Sequence, residues 1–458
     1  MGDSAAPEWA ANIRTRTGPI YLSIVDALAE ARAAGTLQPG DRLPAQRDLA
    51  QQLGVDLTTV TRAFSEARRR NLIDAAPGRG SFVTSGGAEE PILDLGMIIP
   101  PSPAGVNLPG LIRSGIDGLL RRSSADALLS YHPDPGSPAE RAAGAEWLGG
   151  EGDRLPVGRV AVGPGAQALL CAVMMTMSAP EDVVLADSLT YPGFISLAAT
   201  LQRRIAGVAA DGEGMRPDAL EALAGATGAR LVYLNPTLHN PTTLIMPARR
   251  RRELIDVARR RNLVIIEDDP YSRLLPSGEP TFLALAPDLT FHVATLAKCI
   301  SPFLRTAFLA APDAEGIDAV AQRLRSIALM APPLMTGLAA DWIRNGTAAE
   351  VVGGIRQEME ARHALAAGIL PPQAQGHPCG LHVWLPLQHD QKAAPIVHAA
   401  RRRGLAVSAG TDFAVSDDAP DGIRIALGAV ATRSRLEEAL RSFMTTLQAP
   451  TTPTTALV

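Results

Sequence analysis

A chain of 458 residues exceeds what one ordinary hydrophobic core accommodates and implies two or three domains. With 46% apolar and 20% charged residues it has the balance of a globular protein, and a net charge of -4 excludes a nucleic-acid polycation along its whole length. Cys171, Cys299 and Cys379 lie far apart with no CxxC or Cys/His pairing; this argues against a structural metal site and for a reducing cytoplasm, and no apolar run reaches membrane-spanning length.

Residues 13–84 read as short helices followed by a hairpin. LPAQRDLAQQLGV carries apolar residues at helical spacing and stops at Gly54, and DLTTVTRAFSEARRRN starts on an Asp56 cap. Two short helices across a glycine turn describe a helix-turn-helix. PGRGSFV then reads as a wing with its tip at Gly78, Arg79 and Gly80. Residues 13–85 hold ten arginines against seven acids, so this segment is basic while the remainder is acidic. A grip on DNA needs several basic contacts to phosphates, and Arg62 is a candidate. Thr58, Thr59 and Thr61 in the second helix can meet phosphates or thymine methyls. Arg68 to Arg70 read better as a solvated helix end than as a contact surface.

Residues 19–84 resemble the winged helix-turn-helix of the GntR family, whose pattern includes PLYxQI, LPSxRxLA and GxGTFV. The resemblance implies DNA contacts from Arg42, Arg47 and Arg79 and places Gly80 in the wing. Many members carry arginine where this sequence has Leu57.

Small, polar and breaker residues in TSGGAEEP mark a linker over 85–92. Beyond it, RVAVG, DVVLAD, ARLVYLNP, NLVIIEDD and FHVATLAK are apolar runs with little alternation, as in strands buried on both faces of a mainly parallel sheet. Helical stretches such as PARRRRELIDVARRR lie between them. The expected fold is α/β: a large doubly wound domain from residue 93, with a smaller α+β lobe over about 350–447 carrying GLHVWLPL and GIRIALG. The tail 448–458 is expected to be disordered.

Ligands in such sheets collect beyond the carboxyl ends of the strands. Each run above ends there in a polar or reactive group: PGAQ, SLTYPG, TLHNPT, DDPYSR and LAKCISPFLR. Lys298 and Lys392 are the two lysines, against 41 arginines. A lysine kept where arginine is the rule, at the end of an apolar strand, points to amine chemistry toward a carbonyl, which arginine cannot perform. Pyridoxal 5'-phosphate is the cofactor that uses it. Lys392, in polar QHDQKAAP, reads as a surface residue.

Residues 93–447 resemble a fold-type I aminotransferase: HNPTT is similar to that family's HNPTG, EDDPYSRL to its D-x-x-Y element, and TLAKCISPFLR to its S-x-x-K followed by arginine. The resemblance implies that Lys298 forms the internal aldimine and Asp268 pairs with the pyridinium nitrogen. It implies that Asn240 and Tyr271 hold the phenolate and Tyr191 stacks on the ring. Gly165, Ala166, Gln167, Thr295 and Arg305 would cradle the phosphate, Tyr131 would reach the partner subunit's phosphate, and Arg424 would grip an α-carboxylate. Taken singly, Tyr191 reads as a core aromatic, Arg424 as an ion pair and Thr295 as a strand residue; order and spacing favour the cofactor reading. Ala297 replaces the usual serine, Thr243 the last glycine of HNPTG, and Phe303 and Ala307 two further glycines.

The order of the two modules matches the MocR subgroup of GntR regulators. That implies a PLP-dependent transcriptional regulator on double-stranded operator DNA. It would be a head-to-tail homodimer in the cytoplasm, sensing an amino acid or related amine by transaldimination at Lys298. A working aminotransferase with an added DNA-binding domain, and a regulator that senses PLP itself, are the alternatives.

Overall fold

The computed structural model describes residues 7–10, 13, 19–38, 40–70, 72–76, 80–84, 93–122, 128, 130–132, 135–149, 155–388, 391–416 and 419–448. The chain divides into two compact units, Met1–Ile92 and Leu93–Val458. The wing-tip residue Arg79, the expected linker 85–92 and residues 449–458 of the expected tail lie outside the described residues.

In the first unit, α1 (Ile20–Ala33), α2 (Gln46–Leu53) and α3 (Leu57–Arg69) precede β1 (Ile73–Ala76) and β2 (Gly80–Val83). Gly54 ends α2 in the left-handed region at φ 59°, and the Asp56 side chain then caps α3 by accepting from Thr58 N at 2.7 Å. Ile24, Leu28, Leu49, Val60, Phe64, Ile73 and Val83 close one core. β1 and β2 are antiparallel, with Ile73 opposite Val83, and Arg42 bridges to Phe82.

The second unit is built on a seven-stranded sheet. Its strands are β3 (Val160–Gly163), β4 (Val183–Asp187), β5 (Arg204–Val208), β6 (Leu231–Leu234), β7 (Val264–Asp269), β8 (Thr290–Thr295) and β9 (Ala307–Ala310). The spatial order is β3-β9-β8-β7-β6-β4-β5, with β9 antiparallel to both neighbours and the other pairs parallel. Helices cover both faces, so β3, β6 and β8 are buried at every position, including the polar Thr290, His292 and Thr295 of β8.

A four-stranded antiparallel sheet forms the smaller lobe: Gln375–Gly376, β10 (His382–Pro386), β12 (Gly422–Ala426) and β11 (Ser408–Ala409), in that spatial order. The start of the unit joins this lobe. Leu93–Asp94 pairs in parallel with Leu405–Ala406, Leu95 N donates to Ala406 O at 2.8 Å, and Ala426 N donates to Leu95 O at 2.7 Å. At Gly428 a Cβ would stand 1.9 Å from Ile99 O, so only glycine lets the two backbones meet.

Candidate cofactor site and DNA reader

A cavity of about 450 Å³ opens at the carboxyl ends of β4, β6, β7 and β8. Among its lining residues are Ala166, Gln167, Tyr191, Asn240, Asp268, Tyr271, Thr295, Lys298 and Arg424, nine of the positions expected from sequence. Strand alternation explains how β7 supplies one of three consecutive acids. Glu267 and Asp269 share one face and turn to His292, whose Nδ1 lies 2.6 Å from Glu267 Oε2 and whose Nε2 lies 3.7 Å from Asp269 Oδ2. Asp268 takes the other face. There Tyr233 Oη donates to its Oδ2 at 2.6 Å, and Asn235 Nδ2 donates to its backbone oxygen at 2.8 Å. Burial pushes the Asp268 carboxyl up to about 6, against the lowering effect of Tyr233.

Lys298 follows β8, and its Nζ donates to Ile98 O at 2.6 Å. Burial pulls the amine down to about 8; Arg424 and Arg305 pull in the same direction, and Asp268 opposes them. Cys299, beside it, is buried with its thiol pushed up by desolvation, and its Sγ donates to Pro270 O at 3.2 Å. It is packed rather than reactive.

Arg424, on β12, is 8% exposed. Its Nη1 donates to Asn240 Oδ1 at 2.8 Å, and its Nη2 donates to Ser408 Oγ at 2.9 Å and to Gly96 O. Its Nε, also buried, has no hydrogen-bond partner among the described residues. Asn240 is set in turn by its backbone N, which donates to Asn235 Oδ1 at 2.8 Å. Thr243 sits at φ 63°, the left-handed conformation a glycine adopts without cost.

Gly165 (φ 111°), which like Arg305 is not among the lining residues, leads into α4 (Ala166–Met177), whose first turn has no side-chain cap. A Cβ on Gly165 would lie 2.8 Å from Arg305 Nη2, and that nitrogen donates to Pro164 O at 3.1 Å. Open first-turn amides beside a guanidinium form an anion cradle. Gly193 leaves room for the Tyr191 ring, and Gln167 Nε2 donates to Gly193 O at 2.7 Å. Tyr131 is 76% exposed and does not line this cavity.

Sequence reasoning passed over Tyr233, Asn235, Asp94, Gly96, Ile98 and Ser408, all of which line the cavity or brace it. Asn235 stood in the quoted strand end ARLVYLNP and could have been weighed with its neighbours. Tyr233 within a buried strand is indistinguishable by pattern from a packing residue.

In the first unit, Thr58 and Thr61 are exposed on α3 and Thr59 is half-buried. Arg47 is exposed on α2, and Arg42 lies beside the wing, its Nε 3.2 Å from where a Cβ on Gly80 would be. The Arg62 guanidinium lies over the Tyr21 ring, 4.2 Å from its centroid. Arg70 pairs with Asp26 and Glu66.

Residues 95–443 match the family Aminotransferase class I and II. The chain belongs to that family. Residues 20–83 match Bacterial regulatory proteins, gntR family. The "Uncharacterized HTH-type transcriptional regulator YdeF" of Bacillus subtilis is 26% identical over 448 residues, covering 94% of this chain and 95% of that one. The "Vitamin B6 salvage pathway transcriptional repressor PtsJ" of Salmonella typhimurium is 29% identical over 430 residues, covering 90% and 94%. LysN, the α-aminoadipate aminotransferase of Thermus thermophilus solved with N-(5'-phosphopyridoxyl)-L-leucine, shares the fold with a TM-score of 0.70, 24% identity, and coverage of 84% and 98%.

A GntR-type DNA-binding domain followed by an aminotransferase-type domain is the MocR-type architecture, that of a PLP-dependent DNA-binding transcriptional regulator. Pyridoxal phosphate is its cofactor, and the donor set fits it: an amine of lowered pKa, a buried carboxyl, an anion cradle and an unspent guanidinium donor. Among the described residues, no cluster of three or more His, Cys, Asp or Glu side chains is placed to hold a metal, and no helix is long and apolar enough to cross a membrane.

Proposed function

We propose that this regulator senses an amino acid or a related amine in the Lys298 cavity and works as a head-to-tail homodimer in the cytoplasm. The observation that carries the reading is the buried, unpartnered Nε of Arg424 in the same cavity as the Lys298 amine. A ligand bearing both a carboxylate and an amine satisfies both.

Bound pyridoxal phosphate supplies an aldehyde that joins amines reversibly and a ring that withdraws electrons. Asp268, steadied by Tyr233, would hold the proton on the ring nitrogen. Asn240 and Tyr271 would donate to the phenolic oxygen, and Tyr191 would cover the ring. The first-turn amides of α4, with Gln167, Thr295 and Arg305, would hold the phosphate. Tyr131, exposed on its own subunit, is free to complete the partner's site.

The Lys298 amine, when not joined to the cofactor, would have a seat at Ile98 O. Arg424 is anchored to Gly96 O and Ser408. The contacts to Ile98 and Gly96 fall on residues 94–98, which are stitched to the smaller lobe through Leu95 and lead back along the chain to the DNA reader. Effector binding therefore pulls on the first residues after the linker, a route for coupling through the chain itself.

Borohydride reduction of the full-length protein followed by peptide mapping should place the cofactor on Lys298; label on Lys392 alone, or no label, overturns the assignment. Coupling is tested by calorimetric titration of candidate amino acids with and without operator DNA. A typical allosteric coupling of about 1–3 kcal/mol changes affinity about 5- to 150-fold, and the change must be reciprocal. Identical affinities remove the sensing role. A response to pyridoxal phosphate with none to any amine makes the cofactor itself the signal. Conversion of the cofactor to pyridoxamine phosphate with turnover makes the domain an aminotransferase.

A further inference from the structure

The face that α3 turns to solvent has an unusual chemistry for a DNA reader. Val60, Ala63, Phe64 and Ala67 point into the core, each 0% exposed, and leave Leu57, Thr58, Thr61, Arg62 and Ser65 outside. In a helix-turn-helix the second helix enters the major groove, and the residues near its N-terminus meet the base edges. Here those are Leu57, Thr58 and Thr61.

Their hydroxyl protons are already committed. Thr58 Oγ1 donates to Asp56 Oδ1 at 2.5 Å, so its proton serves the helix cap. Thr61 Oγ1 donates to Gln46 Oε1 at 3.0 Å, linking α3 to α2. Arg62, the cation nearest in sequence, is parked over Tyr21 at 4.2 Å. The Asp56 carboxylate keeps its charge at the helix start, its acid held below the usual range by the two Thr58 hydrogen bonds. No first-turn side chain offers the paired donors that recognise the O6 and N7 of guanine. What the helix presents is methyl groups, led by Leu57 at 38% exposed.

We propose that Leu57, with the γ-methyls of Thr58 and Thr61, determines operator specificity by packing against thymine C5-methyl groups in the major groove. The proposal rests on the DNA-binding assignment of this unit. Duplex DNA is the occupant that fits, because the face lies on α3, the second helix of the helix-turn-helix within the matched GntR segment, in a unit whose Arg42 and Arg47 are exposed and available to phosphates. The arginines position the protein, and the methyls read the sequence. Each well-packed methyl contributes about fourfold in affinity, from the transfer free energy of one buried carbon.

The probe is a randomised duplex pool prepared twice, once with thymidine and once with deoxyuridine, which lacks only that methyl. The full-length protein should select recurrent thymines from the first pool. Binding to the selected duplex should weaken about fourfold for each thymine in the recognised half-site replaced by uracil, and thymines outside it should be replaceable without effect. Leu57→Ala, at an exposed position, should lose the preference for thymine over uracil at the base Leu57 meets while keeping it at bases met by Thr58 and Thr61, and Leu57→Arg should shift the selected base toward guanine. Circular dichroism on both variants checks that the unit folds. Selection of one consensus from both pools, with equal affinity for its two forms, overturns the methyl reading and leaves DNA binding standing. Absence of salt-dependent binding to either pool overturns DNA binding and this proposal with it.

Discussion

Around the cavity, Asp268, Asn240 and Arg424 are at most 8% exposed, whereas on α3 Thr58, Thr61 and Arg62 are open to water. The two units use polar groups in opposite ways. In the cofactor unit several of the expected site residues are linked in a buried chain of hydrogen bonds: Tyr233 on Asp268, Asn235 on the Asn240 backbone, Asn240 on Arg424. Low dielectric makes such a network strong when complete and costly when one member is lost. In the reader the groups act at a solvated surface, where each contact is small and separable. Substitutions in the cavity should therefore show large, coupled effects, and those on the reader should show graded, salt-dependent ones.

The largest expected effect separates the two regimes. Asp268→Asn keeps the shape and removes the charge that we propose holds the ring-nitrogen proton. A hydrogen bond to a charged group is worth about 1.5–3 kcal/mol, so cofactor retention measured by equilibrium dialysis should fall about 10- to 150-fold. Retention within twofold of native would mean that the buried network does not act as a unit.

Second in size is a pH dependence. The Lys298 amine is pulled down to about 8 from 10.5, chiefly by burial. The folded state disfavours the ammonium form, so the reactive neutral amine accumulates as pH rises through about 8. Cofactor uptake by apo-protein, followed spectroscopically, should rise roughly tenfold between about pH 7 and a plateau above about pH 9. Continued increase toward the ordinary lysine value would show that burial does not tune this amine.

The same contrast governed what the sequence disclosed. Strand-end residues such as Asn240, Asp268 and Lys298 were legible because polar groups interrupt apolar runs there, and a buried polar group needs a reason. The contribution of residues 94–98 and Ser408 was not legible: it depends on Leu93–Asp94 pairing with Leu405–Ala406, a contact between distant segments that leaves no local pattern. On the reader, any exposed threonine or arginine is unremarkable. The helices could be read from Gly54 and Asp56, but not how the Thr58 and Thr61 hydroxyls are spent.

A third test probes the surface regime. Arg47→Ala removes one exposed cation from α2. If it meets a phosphate, operator affinity should drop a few-fold and evenly across sequences, and the slope of log affinity against log salt should shrink by about 1. An unchanged slope removes Arg47 from the contact set. A loss confined to one operator sequence would make it a base reader and blur the division between arginines that position and methyls that read.

The smallest effect asks whether the buried region is strained where it departs from its family. Thr243 adopts φ 63°, a conformation that crowds a β-branched side chain, and the family places glycine there. Its N donates to His239 O at 2.6 Å, so the surrounding loop enforces the conformation. Thr243→Gly relieves about 1–2 kcal/mol of steric cost and returns about 0.5–1 kcal/mol through the greater freedom of glycine when unfolded. The net gain should be at most about 1.5 kcal/mol, read as a slightly higher thermal midpoint of the cofactor-loaded protein with DNA affinity unchanged. A lower midpoint would mean that the Thr243 side chain, 9% exposed, contributes more by packing than its backbone loses. The threonine would then be a packing residue of this loop rather than a tolerated strain.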